Sequence, residues 1–376
     1  MKRDRNINAL MAFSILVGLT IGFNFTILPI HVIHLKHDLF WVGFITSLQY
    51  MALVIMTFVW GALSDKLGQR KNIIIYTNLV ASIFYFFFPF ADIIMLTVLR
   101  GIQVFFLASW ILSYALATEY RPKAKGEILG WFTLFNAVGW GTGSLLSGFI
   151  YALDSSWFFY ITGIFSILTA LVLIPIKDPP RKQVKDTSFG SILKLKNIPE
   201  IWKLCFTVLI LLIGNYMVFA VFSVYLKENA IPIPAIGVVI ALSGLPSAGL
   251  ASIVGKLCDT YGRKIILIIA IILYAFIWFI YGIIDNIWLV IALWLVPAYT
   301  FYTISTNALI SDLTPSSERG RGIGLLNSFY NLGAFIGSIT GGAVAALFGF
   351  QPTFLLAAFA VIISFFIAAK LKEAKR

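Results

Sequence analysis

GALSDKLGQRK, residues 61 to 71, has a near copy in GKLCDTYGRK, residues 255 to 264. Gly61, Leu63, Asp65, Gly68 and Arg70 match Gly255, Leu257, Asp259, Gly262 and Lys264, each pair 194 residues apart. What surrounds these two charged loops is overwhelmingly apolar. Of 376 residues 60% are hydrophobic, and the mean hydropathy is +0.94, more apolar surface than one soluble core of ordinary composition needs. Lipid is the solvent that suits such a chain. Runs of about 20 apolar residues, the length that crosses roughly 30 Å of hydrocarbon, recur along the whole sequence.

Twelve such runs fall near 9–33, 40–63, 72–91, 93–118, 126–150 and 157–176, then near 201–226, 236–257, 265–284, 287–310, 322–348 and 353–370. A span in lipid must satisfy its backbone polar groups internally, and period-2 alternation is absent, so all twelve are expected to be helices. The opening MKRDRN and its apolar run are too long for a signal peptide and lack a small-residue cleavage site, which makes the run the first span.

The net charge of +12 is distributed by topology. With the N-terminus placed in the cytoplasm, Lys2, Arg3, Arg5, Lys66, Arg70, Lys71, Arg121, Lys123, Lys125, the Lys177–Lys196 stretch, Lys256, Arg263, Lys264, Arg319, Arg321 and Lys370–Arg376 all fall on one side, and only Lys36 and Lys227 on the other. That is the positive-inside pattern, with both termini cytoplasmic in a plasma membrane, and it removes nucleic acid as the explanation of the charge. Cys205 and Cys258, both near that face, suit neither a disulfide nor a metal cluster.

The repeat extends beyond the loops. Gly126, Gly130, Gly139, Gly143 and Gly148 match Gly320, Gly324, Gly333, Gly337 and Gly342 at the same offset, and with a one-residue slip TEYRP at 118–122 aligns with SDLTP at 311–315. The chain therefore reads as an all-α membrane protein of twelve helices in two pseudo-symmetric halves: a six-helix bundle over 1–176, a basic, proline-bearing linker over 177–200, and a second bundle over 201–376. SFGSILKLK within the linker is either a short amphipathic helix on the anionic membrane surface or a solvated loop.

Two six-span halves, a central basic loop, and G-x-L-x-D-x-x-G-x-[RK] after spans two and eight resemble the major facilitator superfamily, as does SDLTPSSERGRGIG between spans ten and eleven. The resemblance implies a secondary transporter that moves a small molecule by alternating access, its site near the midplane between the halves. It further implies that Gly61, Asp65, Gly68 and Arg70, with Gly255, Asp259, Gly262, Arg263 and Lys264, form a gate at the cytoplasmic side. A carboxylate there can take a helix N-terminus, and those of span five near Gly126 and span eleven near Gly320 are the expected recipients. Gln69 stands where the family has a basic residue, and Ser144 follows Gly143 where the family's drug antiporters have proline. Gly139, Gly143 and Ser147, like Gly333, Gly337 and Gly341, recur every four residues and are expected to permit close helix packing.

Arg100 stands well inside span four, where an unpaired arginine costs on the order of 3 kcal/mol. Either it snorkels to the outer surface or, with Gln103, Trp110 and Tyr114 at helical spacing, it opens a polar and aromatic stripe facing a cavity. LRGIQ also resembles the family's fourth-span R-x-x-Q, although Val104 replaces its glycine. Asn24 with Thr20, Asn215 with Tyr216, Tyr299 and Tyr302 with Thr306, and Asn331 with Asn327 complete the candidates for an uncharged, aromatic-lined site, each of them also suited to an ordinary helix-to-helix hydrogen bond. Pro29 and Pro297 are expected to bend spans one and ten. No Asp or Glu lies deep within a span, so the proton coupling that the resemblance favours lacks its usual carrier. His31, His34 and His37 are poorly spaced for one metal site, and His31 is the better candidate for pH sensing.

No H-E-x-x-H pair, carboxylate dyad or phosphate-binding glycine loop marks an enzyme or an ATP-driven pump, and no cofactor is expected. Drug-type efflux coupled to protons is the leading expectation, by a monomer surrounded by membrane lipid. An organic-anion or neutral-metabolite permease, and a non-transporting sensor on the same fold, are the alternatives.

Overall fold

In the computed structural model, residues 5–122, 124–179, 198–315 and 318–373 are described. The amphipathic segment expected in the linker lies outside them. Among the described residues there is no strand, and the helices form twelve spans. Spans one to six are Arg5–Leu35, Leu39–Leu67, Lys71–Tyr85, Ile93–Tyr120, Lys125–Leu153 and Ser155–Leu171; spans seven to twelve are Pro199–Glu228, Ile233–Leu242 with Gly244–Tyr261, Arg263–Ile283, Ile287–Leu313, Arg319–Phe348 and Phe350–Ala369.

Several spans are broken. Span four tightens into a 3-10 turn at Ala108–Ile111, and span seven pauses between Phe219 and Phe222, about one turn after Asn215. Pro297 ends the first segment of span ten and stands at the N-cap of Ala298–Leu313, whereas Pro29 is carried inside the continuous helix of span one. The apolar ends are closed by side-chain caps: Asp92 accepts from Met95 N at 2.7 Å, Asp154 from Ser156 N at 2.7 Å, and Asn286 from Trp288 N at 3.1 Å. Asp92 and Asn286 are themselves 194 residues apart, so the repeat reaches the caps.

The chain gathers into two compact units. Unit one takes the described residues of 1–37, 52–187 and 230–241, and unit two those of 38–51, 188–229 and 242–376. The start of span two therefore packs within unit two, and the start of span eight within unit one. In unit one, span one lies against span five and span three against span six; in unit two, span seven lies against span eleven and span nine against span twelve. The small-residue stripes are the seams of these pairs. A Cβ on Gly139 or Gly143 would run into the carbonyl oxygens of Ile15 or Leu19, and one on Gly337 into that of Ile213; on Gly333 it would meet Leu209 O at 2.7 Å. Only a missing side chain lets these backbones approach so closely. Ser144, at the position where drug antiporters carry proline, is buried beside Gly22 of span one, and its hydroxyl reaches Gly22 O at 3.5 Å.

Candidate functional site

The repeated loops build two similar charge clusters, one in each unit. Spans two and eight end at Gly68 and Gly262, both with positive φ (66° and 98°), the turn that glycine makes without strain. Past the turn, Arg70 Nη2 donates to Asp65 Oδ1 at 3.1 Å and Nη1 to Glu119 Oε1 at 2.8 Å. In unit two Arg263 pairs with Asp312 and stands 3.9 Å from Asp259. The backbone N–H of Arg70 donates to Asp178 at 3.1 Å and that of Lys71 at 3.2 Å, and the N–H of Lys264 donates to Glu373. Lys71 Nζ donates to the carbonyls of Ile174 and Ile176 at 2.7 and 2.6 Å, and Lys264 Nζ to that of Ala369 at 2.7 Å, each lysine closing the end of its unit's last span.

These contacts correct the sequence register. Arg70 does in unit one what Arg263, rather than Lys264, does in unit two, and Lys71 corresponds to Lys264. Gln69 lies between the turn glycine and Arg70, and its Oε1 accepts from Asn72 Nδ2 at 3.1 Å. Asp65 and Asp259 engage arginines of their own loops. The N-cap residues of spans five and eleven, Ala124 and Glu318, make no side-chain cap, and Gly61, Gly126, Gly255 and Gly320 have open space beside their Cα atoms.

Within unit one, Arg100 is buried at 2% exposure, so it does not snorkel. Its Nη1 donates to Gln103 Oε1 at 2.6 Å, and Gln103 Nε2 donates across to Ala81 O of span three at 3.1 Å. Asn24 Nδ2 donates to Thr20 O and to the Tyr85 hydroxyl, both at 2.7 Å, tying span one to span three. Trp110 and Tyr114 do not continue the stripe. Their rings lie 5.5 Å apart, and Tyr114 packs on Phe132 of span five at 5.0 Å, because the intervening 3-10 turn advances about 120° per residue instead of about 100° and rotates the remainder of the span.

Within unit two the aromatic candidates converge. Tyr330 of span eleven receives the hydroxyl of Tyr302 at 3.2 Å and shares a hydrogen bond with that of Tyr216 at 3.1 Å. Tyr299 lies 5.3 Å from Tyr302, Tyr274 of span nine 6.0 Å from Tyr302, and Tyr50 of span two 4.8 Å from Tyr216. Asn215 accepts from Trp278 Nε1 at 2.8 Å, while its buried Nδ2 has no hydrogen-bond partner among the described residues. Tyr302 and Asn215 are buried, Tyr330 is half-buried and Tyr299 is exposed. Asn331 spends its amide on Asn327 O at 2.9 Å, one turn back along its own helix. Sequence reasoning missed Tyr330, Tyr274, Tyr50 and Tyr85. Tyr274, Trp278 and Tyr281 do recur at helical spacing in span nine, a signal that was there to be read. Among the described residues no group of side chains is suited to a metal ion.

Twelve apolar spans, two arginine-centred loops and a polar cluster within each unit define a polytopic membrane transporter. The family model of the Major Facilitator Superfamily matches residues 10–228 and 204–376, and the chain belongs to that family. It is 25% identical over 340 residues to the uncharacterized MFS-type transporter YuxJ of Bacillus subtilis, covering 85% of each chain. It is 26% identical to the multi-drug resistance efflux pump PmrA of Streptococcus pneumoniae, over 93% of this chain and 91% of that one. Among solved structures, a point mutant of the nucleoside transporter NupG superposes with a TM-score of 0.84 at 16% identity, covering 98% of this chain and 100% of that one. A bacterial homolog of the human lysosomal transporter Spinster, inward-facing and unoccupied, gives 0.83 at 15%, over 99% and 98%. These two likenesses bear on the fold alone.

Proposed function

We propose that this transporter exports amphipathic, aromatic, drug-like molecules, and that the tyrosine cluster of unit two receives them. The carrying observation is the convergence of Tyr216, Tyr302 and Tyr299 on Tyr330, with no charged side chain of the unit's spans among those contacts. Aromatic faces with a few hydroxyls hold flat, weakly polar ligands by stacking and hold delocalised cations over the ring, without demanding one hydrogen-bond pattern. The similarity to a multidrug efflux pump over most of both chains supports this reading. An organic-anion permease would need Arg100 to meet its substrate, and that guanidinium is 2% exposed and engaged with Gln103.

Both termini lie in the cytoplasm, a reading that the basic loops support, the molecule works as a monomer in lipid, and protons supply the driving force. The Arg70 and Arg263 clusters act as the gate at the basic end. Ethidium export from cells tests the substrate class. Expression of the parent should lower ethidium accumulation; Tyr330→Ala should lose about tenfold in export, and Tyr330→Phe, which keeps the ring, about twofold. A parent that leaves ethidium untouched but carries a sugar or a carboxylate overturns the reading.

A further inference from the structure

Span one carries, at the end away from the repeated loops, a histidine that the substrate site does not use. His31 is 5% exposed. Its Nδ1 lies 3.1 Å from the Tyr151 hydroxyl of span five, and its ring meets Phe159 of span six edge-on at 4.6 Å. Phe159 is backed in turn by Phe88 at 5.6 Å. The other ring nitrogen, Nε2, is buried and has no hydrogen-bond partner among the described residues.

The titratable groups that face the ring are Tyr151 from span five and His34 one turn along span one. Span six offers it only the apolar face of Phe159, whose neighbour Phe158 packs on Tyr151 at 5.7 Å. Both neutral tautomers leave Nε2 unsatisfied. If Tyr151 donates to Nδ1, Nε2 bears an orphan N–H; if Nδ1 donates to Tyr151, Nε2 bears an orphan lone pair. A buried polar atom in that condition costs about 1–3 kcal/mol, a cost relieved in any conformation that admits water to this end of span one. Imidazole is also the side chain that ordinarily exchanges a proton near neutral pH, and every described Asp and Glu stands at a span end or in a loop.

We propose that His31 is the site that carries the coupling proton through the transport cycle. With the site open to the outside the Nε2 lone pair takes a proton from water and Nδ1–H donates to the Tyr151 oxygen; in the closed conformation the apolar wall of Phe159 offers Nε2–H no acceptor, and the proton is given up to water when the site next opens to the cytoplasmic side, so one proton crosses per cycle. Tyr151 is the positioning residue that fixes which nitrogen is free. The inference rests on the proton-coupled export proposed above, both for the coupling ion and for its direction, inward as substrate leaves.

The full chain in proteoliposomes, with ethidium as probe and a trapped pH-reporting dye, tests it. In the parent, ethidium flux should move protons the opposite way. His31→Gln should keep ethidium exchange without a gradient within about twofold while losing the coupled proton movement by about tenfold or more, and His34→Gln should match the parent. Parental coupling in His31→Gln overturns the proposal, and so does loss of exchange together with coupling.

An independent measurement covers a variant that does not fold. The chain has three histidines, so the imidazole nitrogens of the parent, labelled and embedded in lipid nanodiscs, can be followed from about pH 5 to about pH 9. One imidazole other than His34 and His37 should protonate in this range, with a midpoint that moves in Tyr151→Phe. A third imidazole that stays neutral throughout overturns the proposal. If the parent moves no ethidium, the export reading alone falls, and this titration still decides the role of His31.

Discussion

The guanidinium of Arg100 and the amide of Gln103 form a short relay from span four to the Ala81 carbonyl of span three. A lysine at 100 keeps the charge but replaces a planar fork with a single ammonium. Arg100→Lys should therefore destabilise the protein by about 1.5–3 kcal/mol, the range for a hydrogen bond to a charged group, read as a lower melting temperature in detergent. A parental melting temperature would show that charge alone suffices. The bond between Asn24 and the Tyr85 hydroxyl makes a smaller case. Tyr85→Phe leaves the asparagine with Thr20 O alone and should cost roughly 1 kcal/mol. If Tyr85→Phe is neutral while Asn24→Ala is costly, the value of Asn24 lies in packing within span one.

Helix pairs behave differently according to what stands beside each glycine. Gly143 and Gly337 are pressed against the backbones of spans one and seven, whereas a Cβ added at Gly130 or Gly324 would have nothing within 4 Å. Alanine at 143 or 337 must push two helices apart and should destabilise by about 1–3 kcal/mol. Alanine at 130 or 324 should stabilise by up to about 1 kcal/mol, since glycine is the poorer helix former. Thermal unfolding of the four variants separates the two classes, and equal effects in all four would sink the seam assignment. The seams were legible because close packing of helices imposes a four-residue period that survives in the sequence. The span-four stripe was not, because a tight turn resets the helical phase after Leu107 without any glycine or proline to announce it. The contacts of the loop were not legible either: Arg70 and Lys71 make the bonds that Arg263 and Lys264 make, one residue away from the 194-residue register that Gly68 and Gly262 keep. The tyrosine cluster was legible only in part, through Tyr216, Tyr299 and Tyr302; Tyr50, Tyr274 and Tyr330 were missed because the cluster draws on five spans and no one stretch of sequence holds the pattern.

For the whole molecule, the arrangement of basic residues makes a firm demand on orientation. Cys205 and Cys258 are buried and can be replaced by alanine to give a background without reactive thiols. On it, Lys125→Cys should react only with reagents applied from the cytoplasm, and Leu153→Cys, 88% exposed at the other end of the same helix, only from outside. The reverse result would invert the topology. The exchange of short segments between units sets a further demand, on synthesis. Near the start of span two, a Cβ added at Gly43 would meet the Cα of Gly342 of span eleven at 2.6 Å and press on the Ser338 carbonyl one turn before it. Span two leaves the ribosome long before span eleven exists, so its first turns must wait, inserted and unmatched, until nearly the whole chain has been translated. A nascent chain truncated before span eleven should accordingly remain bound to the insertion machinery or to a membrane chaperone, and its release should coincide with the appearance of residues 338 to 342.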